Sequence, residues 1–168
     1  MNRRTIIAVS AIAAFGLGLL PGSAFSQQKS LKEQLVGAWT VVSYDRTLAD
    51  GTKQAVANPK GLLIFESSGH YVAAAERGDR PKFKSAGQPT TEELAVATAD
   101  FFAANFGTWS VSEADKTLVQ HFDGALRPNN EGSDAKYTIS LTADELKLTQ
   151  MMPLATGVRT EQLYRRAK

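Results

Sequence analysis

The chain contains two histidines and no cysteine, and these counts bound much of the chemistry open to it. Without a thiol there is no thiolate nucleophile, no zinc–thiolate site and no disulfide. Imidazole is the side chain whose ordinary pKa lies near neutrality, so His70 and His121 are the candidates for general acid–base work. In His121-Phe122-Asp123 the histidine and the aspartate share one face of a strand, because side chains alternate with a period of two. A carboxylate beside an imidazole fixes its tautomer and raises its basicity. The same pair also suits the solvent face of a half-buried strand, or a contact with a ligand. Two histidines and one carboxylate are the minimum for zinc, which needs three or four converging ligands, so no metal site is expected. His70 follows the tight turn Ser67-Ser68-Gly69 and so starts a strand, at the rim of whatever the strands enclose.

Other residues have binding rather than reactive chemistry. Arg80 and Arg127 each precede a proline that stiffens the following loop. Each could hold an anionic ligand group at a cavity mouth, or pair with Asp79 and Glu131 respectively. Tyr71 and Trp109 offer an apolar body with a polar tip, the mix that ligand pockets use. Trp109 also reads as an ordinary buried aromatic. No phosphate loop, dinucleotide fingerprint or nucleophile elbow is present, and no cofactor is expected. Arg77-Gly78-Asp79 spells a cell-adhesion tripeptide, but so short a motif has a high false-positive rate, and Gly78 reads as incidental.

The elements that would position these residues are mostly strands. Trp39 to Arg46 is β-branched and aromatic, and Asp50-Gly51 closes it with a turn. Gly61–Glu66 and His70–Glu76 flank Ser67-Ser68-Gly69. Phe106–Ser112 and Thr117–Leu126 flank Glu113 to Lys116; Lys136–Leu141 and Glu145–Met151 flank Thr142-Ala143-Asp144; Val158–Arg166 comes last. With a weak strand near Lys53–Val56 this makes eight or nine strands in sequential hairpins. Such a meander hides its edges by closing into an up-and-down barrel, whose interior is either filled or holds one small ligand. One segment differs. Thr90 and Glu93 form a capping box, and Leu94, Ala97, Phe101 and Ala104 recur at helical spacing. This predicts an amphipathic helix over about 90–105, stopped by Gly107, packed on the core or lying as a lid over a cavity.

The start of the chain bears on its destination. Arg3-Arg4 precede an apolar run from Ile6 to Leu20, the breakers Pro21-Gly22, and Ala24-Phe25-Ser26. The pattern predicts a signal peptide over 1–26, one domain over 27–168, and a periplasmic or secreted protein. The run is short for a membrane span and lacks a basic far flank, so no stable membrane anchor is expected. The chain has 19 basic and 17 acidic residues. Arg3 and Arg4 leave with the leader, so residues 27–168 are neutral, and without a basic tract no nucleic-acid partner is expected.

Two ends of the chain point to a family. Gly37-Ala38-Trp39 opens the first long strand and Leu163-Tyr164-Arg165-Arg166 ends the last. This pairing resembles the lipocalin signature, in which the tryptophan closes one end of a barrel and an arginine from the final strand lies across its ring. Cation–π attraction and a fork of donors to nearby carbonyls favour that contact. Alternation assigns the arginine to Arg166, with Arg165 as the alternative. The chain is further similar to a bacterial and fungal lipocalin-like family in LVGAWTVVSYD, GLLIFESSGHYVAA, RGDRPKF, FGTWSV and VQHFDGALRPNNEG, including Asp79-Arg80-Pro81 and Phe83.

The resemblance implies an all-β, eight-stranded lipocalin-like barrel and no particular activity. On that frame the candidate ligand contacts are His70, Tyr71, Arg80, Phe83, Phe101, Trp109, His121 and Arg127. Gly37, Trp39 and Arg166 would close the barrel. The expected function is binding of a small, mostly hydrophobic molecule in the lumen. The alternatives are an isomerase, cyclase or hydrolase using His70, His121 and Asp123, or a barrel serving only as an envelope scaffold.

Overall fold

The computed structural model describes residues 29–85, 87–153 and 157–168. The expected signal peptide falls outside them. A five-residue helix α1 (Leu31–Leu35) precedes strands β1 (Gly37–Thr47), β2 (Lys53–Ala55), β3 (Pro59–Phe65) and β4 (His70–Arg77). Helix α2 (Thr91–Ala99) follows, then β5 (Phe101–Ser112), β6 (Thr117–Ala125), a 3₁₀ turn (Pro128–Asn130), β7 (Asp134–Leu141), β8 (Glu145–Gln150) and β9 (Arg159–Arg166). All neighbouring pairs are antiparallel, and β1 also pairs with β9. The sheet therefore closes as an eight-stranded barrel, with β2 added to the far part of β1 at Asp45–Thr47. Closure removes the exposed edges that a flat meander of this length would carry.

Which residues fill the interior follows from alternation anchored by the largest buried side chains. Trp39, Phe65, Leu118, Leu146 and Leu148 are fully buried, and positions two apart from them face inward as well. A bulge between Val41 and Ser43 resets β1, so Tyr44 faces inward while Val42 faces out. The same rule sends Tyr71, Ala73 and Ala75 of β4 inward and His70, Val72 and Ala74 outward.

The two ends of the barrel are topped differently. At the end where β1 begins, α1 lies across the opening. Ser30 caps it in a capping box with Glu33, and Leu35 is buried beneath it. This short helix is absent from the sequence reading, although Ser30 and Glu33 have the spacing of Thr90 and Glu93. The other end receives the finish of β4, the start of β5, the 3₁₀ turn and the finish of β8.

Helix α2 departs from expectation in length and in packing. Its capping box at Thr90 and Glu93 is present, but it ends at Ala99, and Phe101 to Asn105 belong to β5. The Arg77 amide donates to the Asp100 carbonyl at 3.0 Å, which starts the β4–β5 ladder there. From that point Ala103 to Asn105 pair with Ala75 to Ala73. Tertiary pairing overrides the helical spacing, as it commonly does for short apolar runs. No residue of α2 is buried, and Leu94 and Val96 are exposed, so its stripe does not pack on the core.

Candidate functional site

The open end of the barrel holds a cavity of about 70 Å³. Its apolar wall is the start of β5 (Phe101 to Ala104) with Leu63, Ala73, Phe122 and Leu126. Its polar wall comes from Tyr44, Gln120, Tyr137, Gln150, Thr160, Gln162 and Tyr164, with Asn105, Arg127 and Asn130 completing the ring. Phe102 stands inside it, its ring centroid 4.3 Å from that of Tyr44. A bulge on β5, where Ala75 pairs with Ala103 but Glu76 with Phe101, turns that ring inward.

The polar wall is a connected ladder. Tyr164 donates from its hydroxyl to Gln162 Oε1 at 2.7 Å, and Gln162 Nε2 donates to Thr160 Oγ1 at 2.7 Å. Thr160 then donates to Gln150 Oε1 from its hydroxyl at 3.2 Å and from its amide at 3.1 Å. Among the described residues Gln150 Nε2 is left buried without an acceptor, and Asn105 Oδ1 and Asn130 Oδ1 are buried without a donor. Buried polar groups in proteins are nearly always paired, so three unpaired atoms around one cavity make it the candidate site. Burial pushes the hydroxyls of Tyr44, Tyr137 and Tyr164 above their ordinary pKa, so they stay neutral donors and acceptors.

The opposite end is closed by paired groups. Trp39 donates from its indole to the Leu35 carbonyl at 2.8 Å. The Arg166 guanidinium lies 4.1 Å from the centre of the Trp39 ring. It donates to the carbonyls of Gln34 (2.7 Å), Ala143 (3.0 Å) and Val36 (3.4 Å). Arg165 points outward toward Glu145 at 3.7 Å. Gly37, at φ +123°, carries the chain into β1 beneath Arg166, in a backbone region that favours glycine.

This closure and the eight-stranded topology coincide with a sequence match. A family model, the lipocalin-like domain, matches residues 36–165. The chain belongs to the lipocalin-like domain family. Among solved structures it is similar to a lipocalin-like protein from Bacteroides uniformis, at 18% identity and TM-score 0.42, covering 80% of this chain and 99% of that one. A protein from Bacteroides eggerthii shares 12% identity at TM-score 0.42, covering 79% and 99%. The fluorescent protein UnaG shares 14% at TM-score 0.34, covering 80% and 98%. No curated protein matches the sequence.

The lipocalin-like barrel separates the residues expected to contact a ligand. Arg127 and Phe101 line the cavity. Tyr71 faces inward but lies deeper, its buried hydroxyl unpaired and pushed upward in pKa by burial. Trp109 is also inward, against Phe65 at 4.8 Å and bonded to the Glu66 carbonyl at 3.0 Å. It belongs to the closed end and not to the cavity wall.

The remaining expected contacts lie outside the lumen, which corrects the reading. His70 faces out and bonds to Ser68 Oγ at 2.9 Å. His121 and Asp123 do share a face, but it is the outer one, because Leu118, Gln120 and Phe122 take the inward positions of β6. His121 Nδ1 meets Asp134 at 2.8 Å, with Asp123 at 3.9 Å from Nε2. Among the described residues no cluster of His, Asp or Glu converges as a metal site requires. Arg80 pairs with Glu76, donates to the Ala97 carbonyl at 3.3 Å and covers Phe101 at 4.4 Å, tethering α2 beside the mouth. Phe83 lines an outer groove with Val96 and Ala97. No residue of α2 lines the cavity, so the helix is not a lid over it.

Gly78 is not incidental. A Cβ there would sit 2.4 Å from the Asn58 carbonyl oxygen. Arg77 is held by Asp79 at 3.1 Å and Asp100 at 3.5 Å, so the tripeptide is folded on itself.

The residues of the polar wall were missed because their type misleads. Gln120, Gln150, Thr160 and Gln162 are polar side chains at inward positions, where alternation expects apolar ones. The available signal was their spacing from Leu118, Leu148 and Tyr164.

Proposed function

We propose that this lipocalin-like chain is an exported binding protein that takes one small molecule into the open half of its lumen. The observation that carries the reading is the cavity ringed by the unpaired polar atoms of Gln150, Asn105 and Asn130. A barrel serving only as scaffold gains nothing from such groups, since each costs about 1–3 kcal/mol when buried unpaired. The ligand has an apolar body against Phe102, Phe122 and Ala103, and a polar edge facing the glutamine ladder. Its enclosed part is small: the cavity of about 70 Å³ is on the order of half the size of one that takes a benzene ring. Larger ligands project through the mouth or displace Phe102. Acid–base catalysis by His70 or His121 has no lumenal imidazole to work with. Export rests on Arg3-Arg4, the apolar run and Ala24-Phe25-Ser26; the recovered protein is expected to begin at Gln27.

Native mass spectrometry of the protein purified from its own host tests this. The expected spectrum contains a non-covalent adduct of low mass that leaves on collisional activation. A bare polypeptide mass from freshly isolated protein under every gentle condition would overturn the reading in favour of a scaffold.

A further inference from the structure

The mouth of the lumen offers the Gln150 amide donor and the Arg127 guanidinium beside the unpaired acceptors Asn105 Oδ1 and Asn130 Oδ1. The hydrogen-bond ladder runs from Tyr164 through Gln162 and Thr160 to Gln150, each group using its acceptor for the one before. The ladder is directional, so the group it leaves free, Gln150 Nε2, is a donor. Arg46 stands opposite Thr160 in the β1–β9 ladder, two positions beyond the inward-facing Tyr44. Residues opposite each other in such a pair project to the same side, so Arg46 lies on the inward side at the rim beside Thr160, just outside the residues that line the cavity. Its Nε is buried without an acceptor. Arg127, on the loop after β6, lines the same cavity. Among the described residues neither arginine is in an ion pair, and no carboxylate lines the cavity.

Tyr44 ties the two arginines together. Burial pushes its hydroxyl up in pKa, while the neighbouring Thr160 and the charges of Arg46 and Arg127 oppose the shift. Both guanidinium charges are therefore felt at one hydroxyl in the cavity. Arg127 is exposed and Arg46 half-buried, so an anion at the mouth would meet two positive charges that no carboxylate of the cavity wall neutralises. A carboxylate presents two oxygens to the planar forks that arginine offers.

We propose that the lumen is a small-carboxylate site, the head held by Arg46, Arg127 and the free amide of Gln150, and a short body directed toward Phe122 and Tyr137. This rests on the reading of the lumen as a binding site and adds the charge of its occupant. Arg46 is the residue that neither the sequence reading nor the family match singles out.

The test is an NMR titration of the protein with lactate and with lactamide, its neutral counterpart, following the side-chain amide signals of Gln150, Asn105 and Asn130. Lactate is expected to shift the Gln150 amide saturably and to bind at least about tenfold more tightly than lactamide. Added salt should weaken lactate and leave lactamide unchanged. Arg46→Gln and Arg127→Gln should each weaken lactate about tenfold without altering the lactamide isotherm. The wild-type comparison of the two probes stands even if a variant fails to fold. Equal binding of lactate and lactamide would overturn the carboxylate assignment while leaving the lumen a binding site. Lactate shifts confined to surface residues, or none at all, would also overturn it, and the native-mass spectrum then decides separately whether the lumen binds anything.

Discussion

At the end of the barrel where β1 begins, the two indoles and the arginine each have their partner. Trp39 bonds to Leu35, Trp109 to Glu66, and Arg166 to three carbonyls while covering the Trp39 ring. At the other end Gln150, Asn105, Asn130 and Arg46 each keep a buried polar atom without one. Both ends belong to the same eight strands and the same pattern of alternation. The difference lies in what occupies the inward positions: aromatic and aliphatic side chains at one end, where the Tyr71 hydroxyl is the buried group without a partner among the described residues, and amides beside tyrosines at the other. Paired groups stabilise, whereas buried unpaired ones cost stability and call for a partner, water or a ligand. The closed end is thus the scaffold and the open end the candidate site.

Substitutions break this comparison in a definite order. Trp39→Ala removes a fully buried indole and should cost about 3–5 kcal/mol in urea unfolding, the largest loss in the series. Arg166→Ala strands the carbonyls of Gln34, Val36 and Ala143 and uncovers the indole, which should cost about 1–3 kcal/mol. A loss below about 0.5 kcal/mol there would mean that water replaces the fork and that the closed end is not what holds the barrel. Phe102→Ala should cost less, about 1–2 kcal/mol, because the ring is only partly buried. It should enlarge the cavity and admit bulkier ligands, whereas unchanged ligand size would show that Phe102 does not limit the lumen. His70→Ala and His121→Ala should stay within about 0.5 kcal/mol of wild type and leave ligand retention intact.

Alkaline pH probes the two ends at once, because all four tyrosines of the chain are buried. Burial raises Tyr44, Tyr71, Tyr137 and Tyr164 above their ordinary value, which is about 10. The sign follows directly. Below that pH both folded and unfolded chains are neutral at these hydroxyls, and the full stability is present. Above it the unfolded chain releases protons that the folded chain retains, so stability falls as pH rises. Tyrosinate absorbance should therefore appear in one step, together with the loss of the circular dichroism signal. A single tyrosine titrating near pH 10 in the folded protein would identify a wet lumen, with Tyr44 at the mouth the first suspect.

Much of the strand order was legible because β-branched and aromatic runs are separated by strong turns, such as Ser67-Ser68-Gly69 before β4. The closing pair was legible too, since Gly37, Trp39 and Arg166 carry a family resemblance as well as a physical rationale. What failed was orientation. Alternation puts His121 and Asp123 on one face, but which face depends on an anchor, and Gln120 beside Phe122 blurs it. In β4 both faces are apolar or small, with Tyr71 and Ala73 on one and Val72 and Ala74 on the other, so His70 could be placed at a rim but not inside or out. The helix boundary failed because Phe101 and Ala104 fit a helical stripe as well as a strand, and only pairing with β4 decides between them. The site itself was hidden because amides on a strand read as solvent-facing.

A lumen built for a ligand leaves its open end unfinished until that ligand is bound. A high-resolution crystal structure of protein isolated from its own host, without denaturation, tests it most directly. The predicted result is electron density for one small non-protein molecule among Gln150, Arg127, Asn105 and Asn130, with Phe102 against it. A lumen in which those amides pair with one another and side chains fill the space would contradict it.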